Sequence, residues 1–225
     1  MKNTVVQFFG RPIRAGVQWY LSKPRDFKYR DISITVSPGV FHPGFFFSTR
    51  LILEFLTTQG LKGKKFLELG SGSGLISIYA SKKGADVTAT DINKKAVKNT
   101  TVNSVKNQVK ITVIESDLFD SIPQTEFEWI VINPPYYPIN PKTEEEHAWN
   151  CGDHHQYFER LFINIAKYIK SDSNILMILS DVCDLHKIFS IANANGFSFE
   201  KIIERKVWAD GRNYLYWVKR TELIS

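Results

Sequence analysis

Residues 66–74, Phe66-Leu67-Glu68-Leu69-Gly70-Ser71-Gly72-Ser73-Gly74, decide the fold. A short apolar strand runs into a glycine-rich turn, and Leu75–Lys82 beyond it reads as a helix. Glycine lets the backbone bend tightly and lets a ligand approach the chain closely. In an open parallel sheet, ligands bind beyond the carboxyl ends of the strands, at the switch point. Asp91 closes the next strand, Asp86–Thr90, about 20 residues on, where an acidic side chain can accept hydrogen bonds from ribose hydroxyls.

Outward from this unit, strand and helix patterns alternate. Asp31–Val36 alternates with period two, and Phe47–Leu56 carries Leu51, Ile52, Phe55 and Leu56 at helical spacing. Lys94–Val105 reads as a helix with a weak apolar face, followed by strands at Val109–Ile114 and Trp129–Ile132. Tyr157, Phe158, Leu161, Phe162, Ile165, Ala166 and Ile169 mark the clearest amphipathic helix. Asn174–Leu179 is a buried strand, and a further helix from Leu185 ends at Asn195-Gly196. Phe197–Val207 and Tyr214–Lys219 are strands joined by a turn around Asp210-Gly211. The expectation is an α/β, Rossmann-like fold: a seven-stranded, mostly parallel sheet covered on both faces, with an antiparallel hairpin at its carboxyl-terminal edge.

Leu75 stands where the dinucleotide fingerprint needs its last glycine. That tilts the reading away from a nicotinamide cofactor, and from an oxidoreductase, toward S-adenosylmethionine, which has no pyrophosphate to cradle. Asn133-Pro134-Pro135-Tyr136 follows directly on the strand Trp129–Ile132. Its prolines stiffen the chain and remove two N–H donors, so the strand tip is left with acceptors, the Asn133 side-chain oxygen and the Pro134 carbonyl. Two acceptors so placed can hold the N–H bonds of an amide or an exocyclic amine, and Tyr136 can stack on its plane. Such a nitrogen is a poor nucleophile; orientation and stabilisation of its developing positive charge are what it needs.

FLELGSGSGL, TATDI, ESDLF and NPPY, in this order and spacing, resemble the motifs of class I S-adenosylmethionine-dependent methyltransferases, and NPPY resembles the amino-methylating branch. The likeness covers about residues 40 to 220. It implies that Glu68, Gly70, Ser71 and Gly72 line the methionine part of the cofactor, with Thr49 as a contact to its carboxylate. It implies that Asp91 and Ile92 take the ribose and adenine edge, that Asp117 and Leu118 flank adenine, and that Asn133, Pro134, Pro135 and Tyr136 meet the target nitrogen. Ala148-Trp149-Asn150-Cys151-Gly152 and Ala209-Asp210-Gly211-Arg212 resemble HemK-type glutamine methyltransferases that act on release factors. Gly39-Val40-Phe41 and Thr49-Arg50-Leu51-Ile52-Leu53 look more like ribosomal RNA guanine methyltransferases. The implied substrate is therefore a glutamine amide in a protein, or else a base amine in RNA or DNA; the need for an activating subunit stays open. A non-catalytic module on the same fold is the rival class, and the intact NPPY argues against it.

The 225 residues suit one domain with a small appendage. Hydrophobic residues at 43% and charged residues at 23% exclude disorder and fibrous classes. Residues 1–30 read as a basic, aromatic extension to a domain at 31–225, with Lys2, Arg11, Arg14, Lys23, Arg25, Lys28 and Arg30 against Asp26 alone. Phe8, Phe9, Trp19, Tyr20, Phe27 and Tyr29 are interleaved with them. That mixture suits single-stranded nucleic acid, or a cap packed on the main domain. The net charge of +6 favours an acidic partner. Two cysteines and the absence of a signal-like or spanning apolar run point to a cytoplasmic chain without a membrane partner. Cys151, Asp153, His154 and His155 fit no zinc pattern, so no metal is expected, and Asp153 reads as a helix cap. Phe45–Phe47 suit either the substrate entrance or the core.

Overall fold

The computed structural model describes residues 20–207 and 211–221. Lys2, Phe8, Phe9, Arg11, Arg14 and Trp19 of the amino-terminal stretch lie outside these residues, as do Ala209 and Asp210. Strands β1 (Arg25–Tyr29) and β2 (Ile32–Val36) form an antiparallel hairpin, pairing Arg25 with Val36. The strand at 25–29 is not expected from the sequence. Phe27 and Tyr29 pack against the core while Asp26 and Lys28 face out, an alternation hidden by the basic composition. The expected boundary between residues 30 and 31 falls at the turn of this hairpin.

The main sheet contains β3 (Lys65–Leu69), β4 (Asp86–Asp91), β5 (Ile111–Glu115), β6 (Phe127–Ile132), β7 (Ile169–Ser180), β8 (Phe197–Val207) and β9 (Gly211–Arg220). Its order is β5-β4-β3-β6-β7-β9-β8. The first five strands are parallel, and β9 runs antiparallel between β7 and the edge strand β8. Side chains alternate between the faces. Leu67 and Leu69 of β3 point to a core closed by α4 (Gln156–Ile165) and α5 (Leu185–Ala194). Phe66 points to a core closed by α1 (Phe47–Leu56), α2 (Leu75–Lys82) and the hairpin. Both cores hold fully buried Leu, Ile and Phe, as the continuous apolar runs of a parallel sheet require.

Helix α3 (Lys94–Lys106) has a polar reason for its weak apolar face. Asn99, Asn103 and Asn107 recur at four-residue spacing and clasp the free edge of β2. Thr35 N donates to Asn103 Oδ1 at 2.9 Å, and Asn103 Nδ2 donates back to Thr35 O at 3.0 Å. Asn107 makes the same exchange with Ser33, and Asn99 Oδ1 accepts from Ser37 N at 2.9 Å. These carboxamides satisfy an edge that a further strand would otherwise satisfy.

Two local expectations are corrected. Ile169 opens β7 rather than closing α4, which ends at Ile165 and passes into a 3-10 turn at Ala166–Tyr168. Tyr168 and Ile169 bury in the same core as the helix, so the apolar spacing runs on past its end. Asp153 does not cap α4. The cap residue is His155 in the left-handed region, φ 63°, so the helix starts two residues later and Asp153 accepts from the Gln156 side chain instead. Among the described residues no helix is long and apolar enough to cross a membrane, and no cluster of three His, Cys, Asp or Glu could hold a metal.

Candidate active site

The sheet register brings three strand ends together. Leu69 lies beside Thr90 on one side and Ile132 on the other, so Gly70, Asp91 and Asn133 leave the sheet at one level. A cavity of about 380 Å³ opens there, beyond the carboxyl ends and at the reversal of strand order. The residues that the resemblance assigns to cofactor and target line it: Thr49, Glu68, Gly70, Ser71, Gly72, Asp91, Ile92, Asp117, Leu118 and Asn133–Tyr136.

The glycine turn is latched by the neighbouring strand. Gly70 N and Ser71 N both donate to Thr90 O, at 2.9 and 2.8 Å. Gly70 has φ 78° and Gly72 φ 53°, values that side chains disfavour. A Cβ at Gly70 would meet nothing within 4 Å, so the backbone there faces open space that a ligand can enter. Gly74 differs: its Cβ would lie 2.9 Å from Thr100 Cγ2 on α3, so glycine is required for close packing.

Asp91 is oriented by two backbone donors. Gly72 N reaches Oδ2 and Asn93 N reaches Oδ1, both at 2.9 Å. Each carboxylate oxygen can accept a second bond, so capacity for ligand hydroxyls remains. Burial raises the Asp91 pKa, and these N–H groups oppose the shift. Glu68 is 4% exposed and its Oε2 accepts from the Ser77 backbone and hydroxyl. Burial pushes its pKa up to about 8 against those donors, with the Asp91 charge adding to the rise. At the other end, Leu118 sits at φ 52°, an uncommon state for a bulky residue. Its neighbour Asp117 is held by Arg160 Nη1 at 2.5 Å, while Arg160 Nη2 reaches Asp120 at 2.9 Å.

The Asn133 amide is held at both ends. Nδ2 donates to Ser48 Oγ at 3.2 Å, and the Tyr136 hydroxyl donates to Oδ1 at 3.0 Å. Phe41, Phe46 and Trp149 pack together with ring centroids 4.9–5.2 Å apart and wall the cavity nearby. Of the Phe45–Phe47 run, Phe46 lines the cavity, Phe45 packs on His42 and Tyr20, and Phe47 packs on the core. Sequence reasoning missed Ser48, Asn93, Tyr157 and Arg160 at the cavity; none stands in a glycine- or proline-marked turn. Trp149, in the stretch that resembles HemK-type enzymes, lines the cavity as well.

The residues present suit S-adenosylmethionine. Open backbone at Gly70 admits a ligand, and Asp91, oriented at the end of its strand, keeps acceptor capacity for ribose. The methyltransferase small domain model matches residues 31–187. A provisionally named protein N5-glutamine methyltransferase of Methanocaldococcus jannaschii is 30% identical over 182 residues, 78% of this chain and 90% of its own length. The matches to two bacterial release factor glutamine methyltransferases span only 31% and 29% of their lengths. Two solved structures share the fold. The Mtq2 chain of the E. cuniculi Mtq2-Trm112 complex, responsible for methylation of the eRF1 termination factor, aligns over 81% of this chain and 99% of its own, with TM-score 0.61 and 20% identity. The T. thermophilus 16S rRNA methyltransferase RsmC, in complex with AdoMet and guanosine, aligns over 88% of this chain and 51% of its own, with TM-score 0.62 and 18% identity.

Fold, cavity and matches define a class I S-adenosylmethionine-dependent methyltransferase. The chain belongs to the methyltransferase small domain family.

Proposed function

We propose that this enzyme methylates the side-chain amide of a glutamine in a protein, a translation release factor. The observation that carries the reading is the acceptor-lined strand tip at Asn133-Pro134, together with a relative named for glutamine methylation that matches over 90% of its length. When bound, S-adenosylmethionine supplies an electrophilic methyl on a sulfonium. Gly70, Ser71, Gly72, Glu68 and Thr49 hold its methionine part, Asp91 and Ile92 its ribose edge, and Asp117 and Leu118 its adenine. Asn133 Oδ1 and the Pro134 carbonyl accept the N–H bonds of the target and stabilise positive charge developing on its nitrogen. Ser48 and Tyr136 keep the Asn133 amide turned for that task. No general base is required, because the methylated nitrogen can lose its proton to water. Phe41, Phe46 and Trp149 exclude water beside the reacting atoms.

Residues 31–225 act as the catalytic domain, and the strand Arg25–Tyr29 is joined to it by pairing with Ile32–Val36. The buried, free Cys151 and Cys183 fit a cytoplasmic setting. An activating subunit belongs to this reading, since the structural relative that methylates a termination factor is in complex with Trm112. The test is transfer of labelled methyl from S-adenosylmethionine to purified release factor, with and without its candidate glutamine changed to alanine. Label that survives nuclease, is lost to protease and requires that glutamine supports the reading. The second reading, an exocyclic base amine of RNA, rests on the +6 charge and on the fold shared with RsmC; label lost to nuclease would select it.

A further inference from the structure

Asn150 is 4% exposed and lines the cavity, and its Oδ1 has no hydrogen-bond partner. Buried side-chain acceptors are nearly always paired, because an unpaired amide gives up its hydration for nothing. His42, Tyr79 and His155 also carry unpaired buried atoms, but they do not line the cavity. An apolar residue could fill the Asn150 position without that cost, so a ligand donor is the economical partner for its oxygen.

The backbone places this amide beside the target end of the cavity. Tyr137 N donates to Trp149 O, and Cys151 N donates to Tyr137 O, both at 2.8 Å. Asn150 thereby forms a parallel bridge with Tyr137, the residue directly after the Asn133–Tyr136 segment. Asn133 Oδ1 already receives the Tyr136 hydroxyl, which leaves it room for one further donor. A target with two N–H bonds can give one to Asn133 Oδ1 and share the other, in a three-centre bond, between the Pro134 carbonyl and a second side-chain acceptor on the same rim.

Resting on the function proposed above, we propose that Asn150 is a specificity-determining residue whose Oδ1 accepts an N–H of the methyl-accepting group, a glutamine carboxamide on that reading. The cofactor also carries N–H groups. The pairing of Asn150 with Tyr137, rather than with the glycine turn or the Asp117 loop, favours the methyl acceptor.

The experiment compares the full chain with Asn150→Ala and Asn150→Asp. Methyl-acceptor KM and kcat are read by labelled methyl transfer, S-adenosylhomocysteine affinity by calorimetry, and Tm by thermal unfolding. Asn150→Ala should raise the acceptor KM roughly 10- to 100-fold while cofactor-product affinity stays within about twofold. Asn150→Asp, which keeps an acceptor oxygen, should restore KM to within about fivefold of wild type. If the alanine variant fails to fold, Asn150→Leu, which fills a similar volume without an acceptor, carries the test with the same expected rise in KM. A matching loss of S-adenosylhomocysteine affinity would assign the oxygen to the cofactor and overturn the proposal. So would unchanged KM in Asn150→Ala. If wild-type enzyme labels nucleic acid and not the release factor, the glutamine reading fails by itself. The same KM contrast is then read on that acceptor, where an unchanged value overturns the Asn150 assignment as well.

Discussion

At the scale of single residues, Glu68 makes stability depend on pH. Its ordinary pKa is 4.5 and burial raises it to about 8 in the folded state. Below pH 4.5 both states hold the proton and the residue contributes no pH dependence. Between 4.5 and 8 the unfolded chain releases the proton while the folded chain keeps it, so stability falls as pH rises through that window. Thermal unfolding from pH 5 to 8 should show the decline, and Glu68→Gln should flatten it; equal slopes in the two proteins would refute the assignment. Asp91 is a separate lever. Removing its carboxylate leaves ribose hydroxyls unpaired in a closed site at a cost of ~1–3 kcal/mol, so Asp91→Ala should weaken S-adenosylmethionine binding roughly 10- to 100-fold by calorimetry. Asn133→Ala should instead lower kcat by ~100-fold or more with cofactor affinity nearly intact, because its oxygen acts mainly as charge develops on nitrogen. Near-wild-type turnover in that variant would eliminate the acceptor role.

Elements act through the asparagine ladder. Asn103 is fully buried and bonds Thr35 on the hairpin and, at 2.9 Å, the Ser73 carbonyl in the glycine turn. Thr100, one turn earlier on α3, donates to Gly72 O at 3.2 Å. One helix thus ties the amino-terminal hairpin to the cofactor loop. Asn103→Ala strands a backbone donor and an acceptor, which should cost about 2–4 kcal/mol and lower Tm by about 4–16 °C. Cofactor affinity should drop with it, since the turn loses its brace. A Tm within about a degree of wild type would show that the ladder carries no weight.

Across the whole molecule, charge and substrate are linked. Arg25 does not present its guanidinium outward as a phosphate contact: Nε donates to Tyr20 O at 2.7 Å, and the group lies 3.9 Å over the Tyr20 ring. This removes one residue from the basic set that favoured nucleic acid. Binding of a protein substrate should therefore show a shallow salt dependence, and neutralising Arg11, Arg14 and Lys28 should leave it nearly unchanged. A log–log slope that falls by ~0.7–0.9 for each charge removed would instead reveal phosphate contacts.

The sequence by itself determined every strand of the main sheet, the five α-helices and the cavity's first wall. Glycine turns, proline pairs and apolar periods are local signals, and each encodes a backbone state or a buried face without reference to distant residues. Hence Gly70, Asp91 and Asn133 were legible, and so was the order of elements that brings them together. Only the tertiary structure decided what depends on partners far along the chain. Arg160 meets Asp117 across 43 residues, and Ser48 meets Asn133 across 85. The strand at Arg25–Tyr29 was hidden because its charged composition outweighed a short alternation. The ladder of Asn99, Asn103 and Asn107 read only as a weak amphipathic helix, because an asparagine declares itself a structural residue only when the backbone edge it satisfies is beside it.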